Sequence, residues 1–502
     1  MDPSVSDIVK QFQIPTDLDF NLIMPTLMVA LTGIFALLMQ VVQKKRDNRP
    51  IIFISLVGLL CAAGAVVRQF GMPDAGAFAG MVLRDQFTLV THLILIFACA
   101  MTLVFSEGYL QQKKIAFSEF YPLVTWATCG GMIMVSTNNL LVMFLGLEML
   151  SIALYVLAGM SRSEQRSEES AIKYFLLGAF ASAFFLYGIA FFFGTTGSLD
   201  LTAMSAAYSA APQNGQVMAL FGVMMLLIGL AFKSGMVPFH QWTPDVYQGA
   251  PTNVTAFMAV GSKVAAIAAL YRVFQEIRPM ADVLMTPLMV IAGLTMVIGN
   301  VVALRQKDIK RVLGYSSIAH AGYLLTGLLA NYVAPDKAPS VTTLYFLVSY
   351  AFVTLGSFAV ISLIAKDGKE VTKIDELKGL YRRSPFAAIA LLLFMVSLIG
   401  IPPTAGFVGK LKIFQDALAA DLAPLAIILA ISSVISVYYY LVIAHKAFVE
   451  EDAERATMPI TKPVMIASVI CMAGVILAGI FNSPVTSWLS QSEPEPEVTA
   501  SK

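Results

Sequence analysis

Residues 217–238 read VMALFGVMMLLIGLAFKSGMVP. This run is 22 residues long and contains a single charged residue, Lys233. A helix needs about 20 predominantly apolar residues to cross the hydrocarbon core of a bilayer. The stretch therefore predicts a membrane-spanning helix. Gly235 and Pro238 near its end predict that the helix is broken there.

Thirteen further apolar runs follow the same pattern, so we expect an all-α polytopic membrane protein with about fourteen transmembrane helices. The composition agrees, with 58% hydrophobic residues, 13% charged residues and a mean hydropathy of +0.76. Soluble domains carry about a quarter charged residues. The predicted spans, numbered 1 to 14, are residues 20–43, 51–70, 86–106, 119–137, 139–160, 171–194, 217–238, 252–274, 284–304, 311–331, 341–365, 386–419, 423–448 and 461–482.

Charge and metal-ligating residues exclude several classes of function. The formal net charge is +1, so no net field attracts nucleic acid. The cysteines and histidines stand singly, without the spacing of a metal site; they are Cys61, Cys99, Cys129, Cys471, His92, His240, His320 and His445. We expect buried structural roles for the cysteines, and neither a metal site nor a cofactor in this chain.

Basic residues outside the spans lie mostly on one side of the predicted membrane. The loops after spans 1, 3, 5, 9, 11 and 13 hold 21 lysines and arginines, whereas the opposite side holds 7. Loops rich in basic residues stay in the cytoplasm. The sequence therefore predicts that both termini lie on the other, periplasmic or lumenal, side.

Five lysines belong to neither of these two sets and lie in apolar sequence, together with one deeply placed acid; they are Lys173, Lys233, Lys263, Lys410, Lys412 and Glu148. A charge at mid-bilayer costs about 2.5–3.5 kcal/mol. Lys173 and Lys412 have positions from which a lysine can extend its ammonium group to the interface. The other four lie too deep for this, which favours a functional role over a static ion pair.

Buried lysines beside one carboxylate have a specific chemistry. Loss of hydration disfavours an ammonium group and a neighbouring carboxylate favours it, so movement of the partner can bind or release a proton. We expect Glu148 and Lys233 to approach within salt-bridge or single-water distance. We also expect Lys233, Lys263 and Lys410 to form one hydrated row near mid-membrane. Such a row is typical of a proton path and unsuited to binding an organic solute.

Glycine and proline interrupt two of the spans near buried lysines. Span 7 breaks at Gly235 and Pro238, and span 12 breaks within GIPPTAG at residues 400–406, just before Lys410. Paired interruptions of this kind are typical of inverted repeats with an ion site at each break. We expect two inverted five-helix repeats, spans 4–8 and 9–13. The expected domains are residues 1–118 (spans 1–3), 119–275 (first repeat), 284–448 (second repeat) and 449–502 (span 14 and a polar tail).

Five stretches closely resemble signatures of one family, the antiporter-like subunits of proton-pumping NADH–quinone oxidoreductase (respiratory complex I). The resemblance extends from about span 3 to span 13, and the motifs occur in the family's order. They are LGLEMLSIALYVLAG (145–159), SEESAIKYFLLGAF (167–180), FKSGMVPFHQWTPDVYQGAPT (232–252), KRVLGYSSIAHAGY (310–323) and GIPPTAGFVGKLKIF (400–414).

This resemblance implies roles for individual residues. Glu148 and Lys233 match the glutamate–lysine pair of spans 5 and 7. Lys263 matches the central relay lysine of span 8, and Lys410 the terminal lysine of span 12. Two further candidates are Lys173, which matches a lysine of span 6 near the cytoplasmic edge, and His320 in span 10. The role of His240 stays open between loop structure and proton entry.

The resemblance also implies a function and partners. It implies a proton-translocating membrane-arm subunit that couples electron transfer from NADH to quinone with proton pumping, in a bacterial inner (plasma) membrane. FMN and iron–sulfur clusters are expected in other subunits. Expected partners are the antiporter-like subunit M, the small subunit K, membrane lipid and, through the complex, the quinone pool. Two alternatives remain open: a subunit of a multisubunit cation/proton antiporter or membrane-bound hydrogenase, and a lipid-packed scaffold without proton conduction.

Overall fold

The structure of the 502-residue chain is a computed structural model. It describes residues 17–42, 48–115, 117–366, 369–370, 372–449 and 461–490. The first sixteen residues and the acidic tail lie outside this range, and so does the predicted location of the two termini. The polar tail predicted after span 14, which includes residues 492–502, is likewise outside the described residues.

All fourteen predicted runs are helical in the described part of the chain, which confirms the predicted fold class. Twelve helices are long and apolar enough to span a membrane, and shorter apolar helices form span 4 and span 12. The spans are Asp17–Val42, Arg49–Gln69, Gln86–Gln112, Phe120–Val135, Leu140–Ala158, Gln165–Thr196, Gln213–Ser234, Thr252–Glu276, Ala281–Ala303, Ile309–Val333, Ser340–Ile361, Pro385–Ile399 with Ala405–Ala419, Ala423–Phe448 and Lys462–Ile480.

Both predicted breaks are present. Span 7 ends at Ser234, where Gly235 adopts a left-handed conformation with φ of +74°, and Gly400 ends the first half of span 12 with φ of +89°. A side chain at either position would strain the backbone, so glycine is the residue suited to both. In each break a cis peptide bond precedes the proline three residues after the glycine, Pro238 and Pro403.

Short elements fill the connections between the spans. A helix that we call the loop helix, Trp242–Gly249, lies between the break in span 7 and the start of span 8. Span 8 contains a π-helical turn, Met258–Ser262. The remaining elements are two hairpins, Ala75–Ala77 with Val82–Arg84 and Ala365–Lys366 with Lys369–Glu370, and the short helices Thr202–Ala210, Arg278–Met280, Ile374–Leu377, Leu380–Arg383 and Asn482–Ser490.

The centre of the bundle is formed by spans 8 and 10. In each of these two spans, 94% of the most apolar 18-residue segment is buried inside the protein, whereas the corresponding share is 33% in spans 6 and 9. Span 6 turns large apolar side chains such as Leu176 and Phe180 outward. An apolar surface of this kind is stable in contact with lipid rather than water. The polar residues of spans 8 and 10 therefore lie in the protein interior, away from lipid.

An acidic residue of the second hairpin, Glu370, binds the first residue of span 8. Glu370, whose side chain is 8% exposed, accepts hydrogen bonds from Tyr109 at 2.9 Å and from Thr252, the first residue of span 8. It also pairs with Lys113 at 3.2 Å and Lys310 at 3.5 Å. Burial raises the pKa of Glu370, but the two lysine charges outweigh burial and hold the pKa below its ordinary value. The loop after span 11 is thereby joined to spans 3, 8 and 10.

Replacing Gly146 by valine should prevent stable assembly, because spans 4 and 5 touch through glycine. A Cβ at Gly146 would lie 2.6 Å from the backbone nitrogen of Met134 and 2.8 Å from the carbonyl oxygen of Gly130. Overpacking against backbone costs about 3 kcal/mol or more. The amount of chain in purified membranes measures the effect. Gly64→Val is the matched control, since nothing lies within 4 Å of its Cβ position; equal yields of both variants would contradict the close contact.

Candidate functional site

Lys233 lies at the end of span 7, in the last turn before the break. Its side chain is buried, at 3% exposure, and its ammonium group donates to the Ser151 hydroxyl at 2.7 Å and the Tyr174 hydroxyl at 3.1 Å. The same group lies 5.2 Å from the centre of the Tyr174 ring. Two hydroxyl oxygens and a ring face partly replace the hydration that an ammonium ion loses in the membrane.

The salt-bridge distance expected between Glu148 and Lys233 is not present among the described residues, and the single-water distance stays a prediction. Glu148 accepts a hydrogen bond from Ser182 of span 6, and no carboxylate oxygen lies within 4.0 Å of the Lys233 ammonium group in the described structure. The reason is the position of Ser151, one helical turn after Glu148 on span 5, which takes the place next to the lysine. The Lys233 ammonium group is therefore held by two hydroxyl groups, and the Glu148 carboxylate by a third, that of Ser182.

Lys263 lies at the centre of the bundle, directly after the π-helical turn of span 8. It is 3% exposed, and its ammonium group donates to the carbonyl oxygen of Ser317 and to the Ser317 hydroxyl at 2.6 Å. The ring of Tyr350 faces it at 5.2 Å. π-Helical turns within α-helices occur frequently at functional sites. No carboxylate pairs with Lys263 among the described residues.

Lys410 is held by the break in span 12. It follows the break, and its ammonium group donates to the carbonyl oxygens of Leu398 at 2.7 Å and Ile399 at 3.0 Å, and to the Ser433 hydroxyl at 3.0 Å. The last carbonyl groups of a helix lack partners within it and carry partial negative charge. The first half of span 12 thus supplies the acceptors for a cation that sits on its second half.

Aromatic residues bridge the space between Lys233 and Lys263. The Tyr174 ring stacks on Trp242 at 4.6 Å, and Trp242 meets Tyr247 edge to face at 6.2 Å. The Tyr247 hydroxyl lies 3.3 Å from the hydroxyl of Ser317, the residue that also binds Lys263. Both bridging residues, Trp242 and Tyr247, belong to the loop helix.

His320 lies between Lys263 and Lys410. Its ring packs at 5.4 Å against both Tyr350, which faces Lys263, and Tyr323, whose ring lies 5.3 Å from the Lys410 ammonium group. The histidine is 4% exposed, and its Nδ1 lies 2.7 Å from the carbonyl oxygen of Ser316 in its own helix. The structure therefore places this candidate within the row.

Two other candidates lie outside the row. Lys173 is at the surface, with its side chain 42% exposed, and pairs with Glu169 at 2.7 Å and Asp245 at 2.9 Å. His240 lies in the break of span 7, partly exposed, and its Nδ1 has no hydrogen-bond partner in the described structure. Lys412 faces the Tyr345 ring at 5.9 Å, away from Lys410.

Sequence reasoning missed the hydroxyl groups and rings that hold the lysines. The quoted motifs contain these residues. Ser151 lies three residues after Glu148, Tyr174 follows Lys173, and Ser317 lies three residues before His320. Single serines and tyrosines in apolar runs do not reveal which neighbour they face. Among the described residues, no group of three or more His, Cys, Asp or Glu side chains is placed to hold a metal ion.

The fold is that of the antiporter-like membrane subunits of respiratory complexes. A chain of respiratory complex I from Thermus thermophilus superimposes with a TM-score of 0.80 and 34% identity, over 93% of this chain and all of that one. One chain of the Mrp complex from Dietzia sp. and one chain of an archaeal membrane-bound sulfane sulfur reductase share the fold, with TM-scores of 0.81 and 0.82. Their identities of 20% and 21% support similarity of fold alone.

The chain belongs to the family described as NADH:quinone oxidoreductase/Mrp antiporter membrane subunits, whose family model matches residues 137–436. Within this family it is a homologue of NADH-quinone oxidoreductase subunit N. The protein of that name from Trichlorobacter lovleyi is 38% identical, over 95% of this chain and 97% of its own. That from Herpetosiphon aurantiacus is 40% identical, over 91% and 94%. The alternative of a multisubunit antiporter is not better supported than this assignment.

Proposed function

We propose that this chain translocates protons as a membrane-arm subunit of NADH–quinone oxidoreductase, and that Glu148, Lys233, Lys263 and Lys410 carry them. The observation that carries the proposal is the row itself. Two buried ammonium groups belong to the broken helices and a third to span 8, and within the described residues each is held by neutral oxygens and a ring face rather than by a carboxylate. Charges stored without counter-ions in a membrane are costly and are typical of proton relays.

Glu148 controls the first step in this proposal. Its negative charge, one helical turn from Ser151, favours the protonated form of Lys233. When Glu148 moves away or takes up a proton, the ammonium group loses this compensation and releases its proton toward Lys263. The hydroxyl groups of Tyr174, Tyr247 and Ser317 can each donate and accept, and water completes the path between them.

Transfer from Lys263 to Lys410 uses His320 as the intermediate group. An uncharged imidazole can accept a proton on one nitrogen and give one up from the other. Lys263 becomes neutral as it passes its proton to His320, so the two groups do not carry a positive charge at the same time, which repulsion in a medium of low dielectric constant would oppose. The proton then reaches Lys410 and leaves through the second half of the bundle.

The energy has to come from the rest of the complex. Moving one charge against about 200 mV costs roughly 4.6 kcal/mol. Electron transfer takes place in other subunits, where FMN and iron–sulfur clusters are expected. Conformational or electrostatic coupling along the membrane arm would then move Glu148 and the broken helices. The two breaks are suited to such motion, because the carbonyl groups at a helix end are not tied to a following turn.

The finer assignments of location and partners belong to the same proposal. We infer a bacterial inner membrane, with the basic loops in the cytoplasm and both termini on the periplasmic side, supported by the asymmetry of lysine and arginine. We infer subunits M and K as neighbours in the membrane arm. We also keep spans 4–8 and 9–13 as two inverted repeats, which the matching breaks at Gly235 and Gly400 support.

Replacing Ser317 by alanine tests the row where two parts of it meet. Its hydroxyl contacts Lys263 at 2.6 Å, Tyr247 at 3.3 Å and Tyr350 at 3.0 Å, so its loss removes a shared acceptor. We expect the pumping rate to fall by about three- to tenfold. NADH-driven acidification of inverted membrane vesicles measures it.

The matched control is Ser357→Ala in span 11. Ser357 is equally buried, but its hydroxyl donates only to Val353 of its own helix. This variant should pump at the unmodified rate. Equal rates for the two variants would contradict the proposed path through Ser317.

A further inference from the structure

The loop helix, Trp242–Gly249, covers the space between Lys233 and Lys263. Its inner face carries Trp242 and Tyr247, the two residues that bridge these lysines. Non-helical residues flank it on both sides, at 235–241 and at 250–251. A short helix between two such links can move as a unit, because backbone changes are absorbed in the links.

Asp245 holds this helix from the outside. Its carboxylate accepts from Lys173 of span 6 at 2.9 Å and from Arg311 of span 10 at 2.6 Å. The three residues line a polar pocket of about 240 Å³ that opens at the surface. The side chains of Asp245 and Lys173 are 37% and 42% exposed. Ion pairs with this exposure are weak individually, so they can open and close at low cost.

The Asp245 carboxylate is charged at neutral pH. Desolvation raises its pKa, but the hydrogen bonds and charges of Lys173 and Arg311 outweigh desolvation and leave the pKa below its ordinary value. The two cations come from different spans, so any separation of spans 6 and 10 pulls on the same carboxylate. The loop helix thus responds to movements on either side of it.

Two buried hydroxyl groups lie close to the covered space. Thr243, on the loop helix, is 2% exposed, and its hydroxyl oxygen lies beside Gly235 in the break of span 7 without a hydrogen-bond partner among the described residues. Ser262, next to Lys263, is 1% exposed and also lacks a partner. Buried hydroxyl groups are nearly always hydrogen-bonded. Water entering under a displaced loop helix would satisfy both.

We propose that the loop helix is the gate through which protons reach Lys233 and Lys263 from the face with the basic loops, and that Asp245, held by Lys173 and Arg311, keeps it closed. This inference rests on the proposed function of the two lysines. It assigns Lys173 and Asp245 as positioning residues, which act on proton access without carrying the proton through the bundle.

Access beneath the gate can be measured with a thiol at Thr243. In the assembled complex, Thr243→Cys is introduced together with Cys61→Ser, which removes the one exposed cysteine of the described residues. A membrane-impermeant maleimide is added on the side of the basic loops. We expect Asp245→Asn to increase the labelling rate of this cysteine by about tenfold or more, because removal of both ion pairs populates the open position.

The control removes a comparable ion pair elsewhere on the same face. Asp375→Asn breaks the exposed pair with Lys446, at 2.7 Å, and should leave labelling unchanged. If Asp245→Asn prevents assembly, Lys173→Gln and Arg311→Gln open the same contacts while Asp245 is retained, and each should accelerate labelling. NADH–quinone turnover verifies assembly of every variant.

Labelling that is no faster in the assembled Asp245, Lys173 and Arg311 variants would overturn the gate. Failure of the proposed function looks different, since Lys263→Ala would then pump normally whatever the labelling rates are. A gate that opens in Asp245→Asn should also change the ratio of protons pumped to NADH oxidised, whereas a merely structural ion pair should change both rates in proportion.

Discussion

Replacing Lys263 by alanine should reduce NADH-driven proton pumping by about tenfold or more while the complex still assembles. Lys263 is the central ammonium group of the row, held by Ser317 and facing the ring of Tyr350. Alanine removes the proton carrier and keeps a residue with high helix propensity, so span 8 should still form. Acidification of inverted vesicles, normalised to the amount of assembled complex, measures the loss.

An arginine at this position separates two roles for Lys263. Arginine remains protonated under all physiological conditions, with a pKa above about 12. If Lys263 has to exchange its proton, Lys263→Arg should pump almost as poorly as Lys263→Ala. Full pumping by the arginine variant would mean that Lys263 acts only as a fixed positive charge, and the relay would then be wrong.

Replacing Glu148 by alanine should reduce pumping by about fivefold or more, because its charge favours the protonated form of Lys233. The Ser182 hydroxyl that it binds stays available to water, so the chain should remain assembled. The same vesicle assay measures the loss. Glu168→Ala is the control, since Glu168 lies on the exposed surface of span 6 and should tolerate the change.

A double-variant cycle tests whether Glu148 acts through Lys233. Residues that act on one step have non-additive effects. Glu148→Ala combined with Lys233→Ala should therefore pump no worse than Lys233→Ala alone. Losses that multiply would show that the two residues act on separate steps.

The helical part of the fold could be predicted because hydrocarbon imposes strict rules on sequence. All fourteen apolar runs became helices, and their bounds agree with the predicted ones to within a few residues in most cases. Span 12 was predicted as one interrupted run and is interrupted at Gly400. These features depend on local composition and on backbone properties of glycine and proline, which a sequence displays directly.

The partners of the buried charges could be predicted only in part. The depth of Lys233, Lys263 and Lys410 follows from their place in the apolar runs, and all three are buried. The Lys233 ammonium group donates to Ser151 and Tyr174 rather than forming a salt bridge with Glu148, and a contact through a single water stays a prediction. Which of several hydroxyl groups is closest depends on helix rotation, and apolar composition does not define that rotation.

The sequence by itself therefore determined the membrane class, the number of spans, the two breaks and the identity of the residues that carry charge into the membrane. Only the tertiary structure decided how these charges are held: by Ser317 for Lys263, by the last carbonyl groups of a half-helix for Lys410, and by Asp245 for Lys173. The physical reason is distance along the chain. Spans and breaks arise from neighbours within about 20 residues, whereas each of these contacts, except that within span 12, joins residues on helices that only packing brings together.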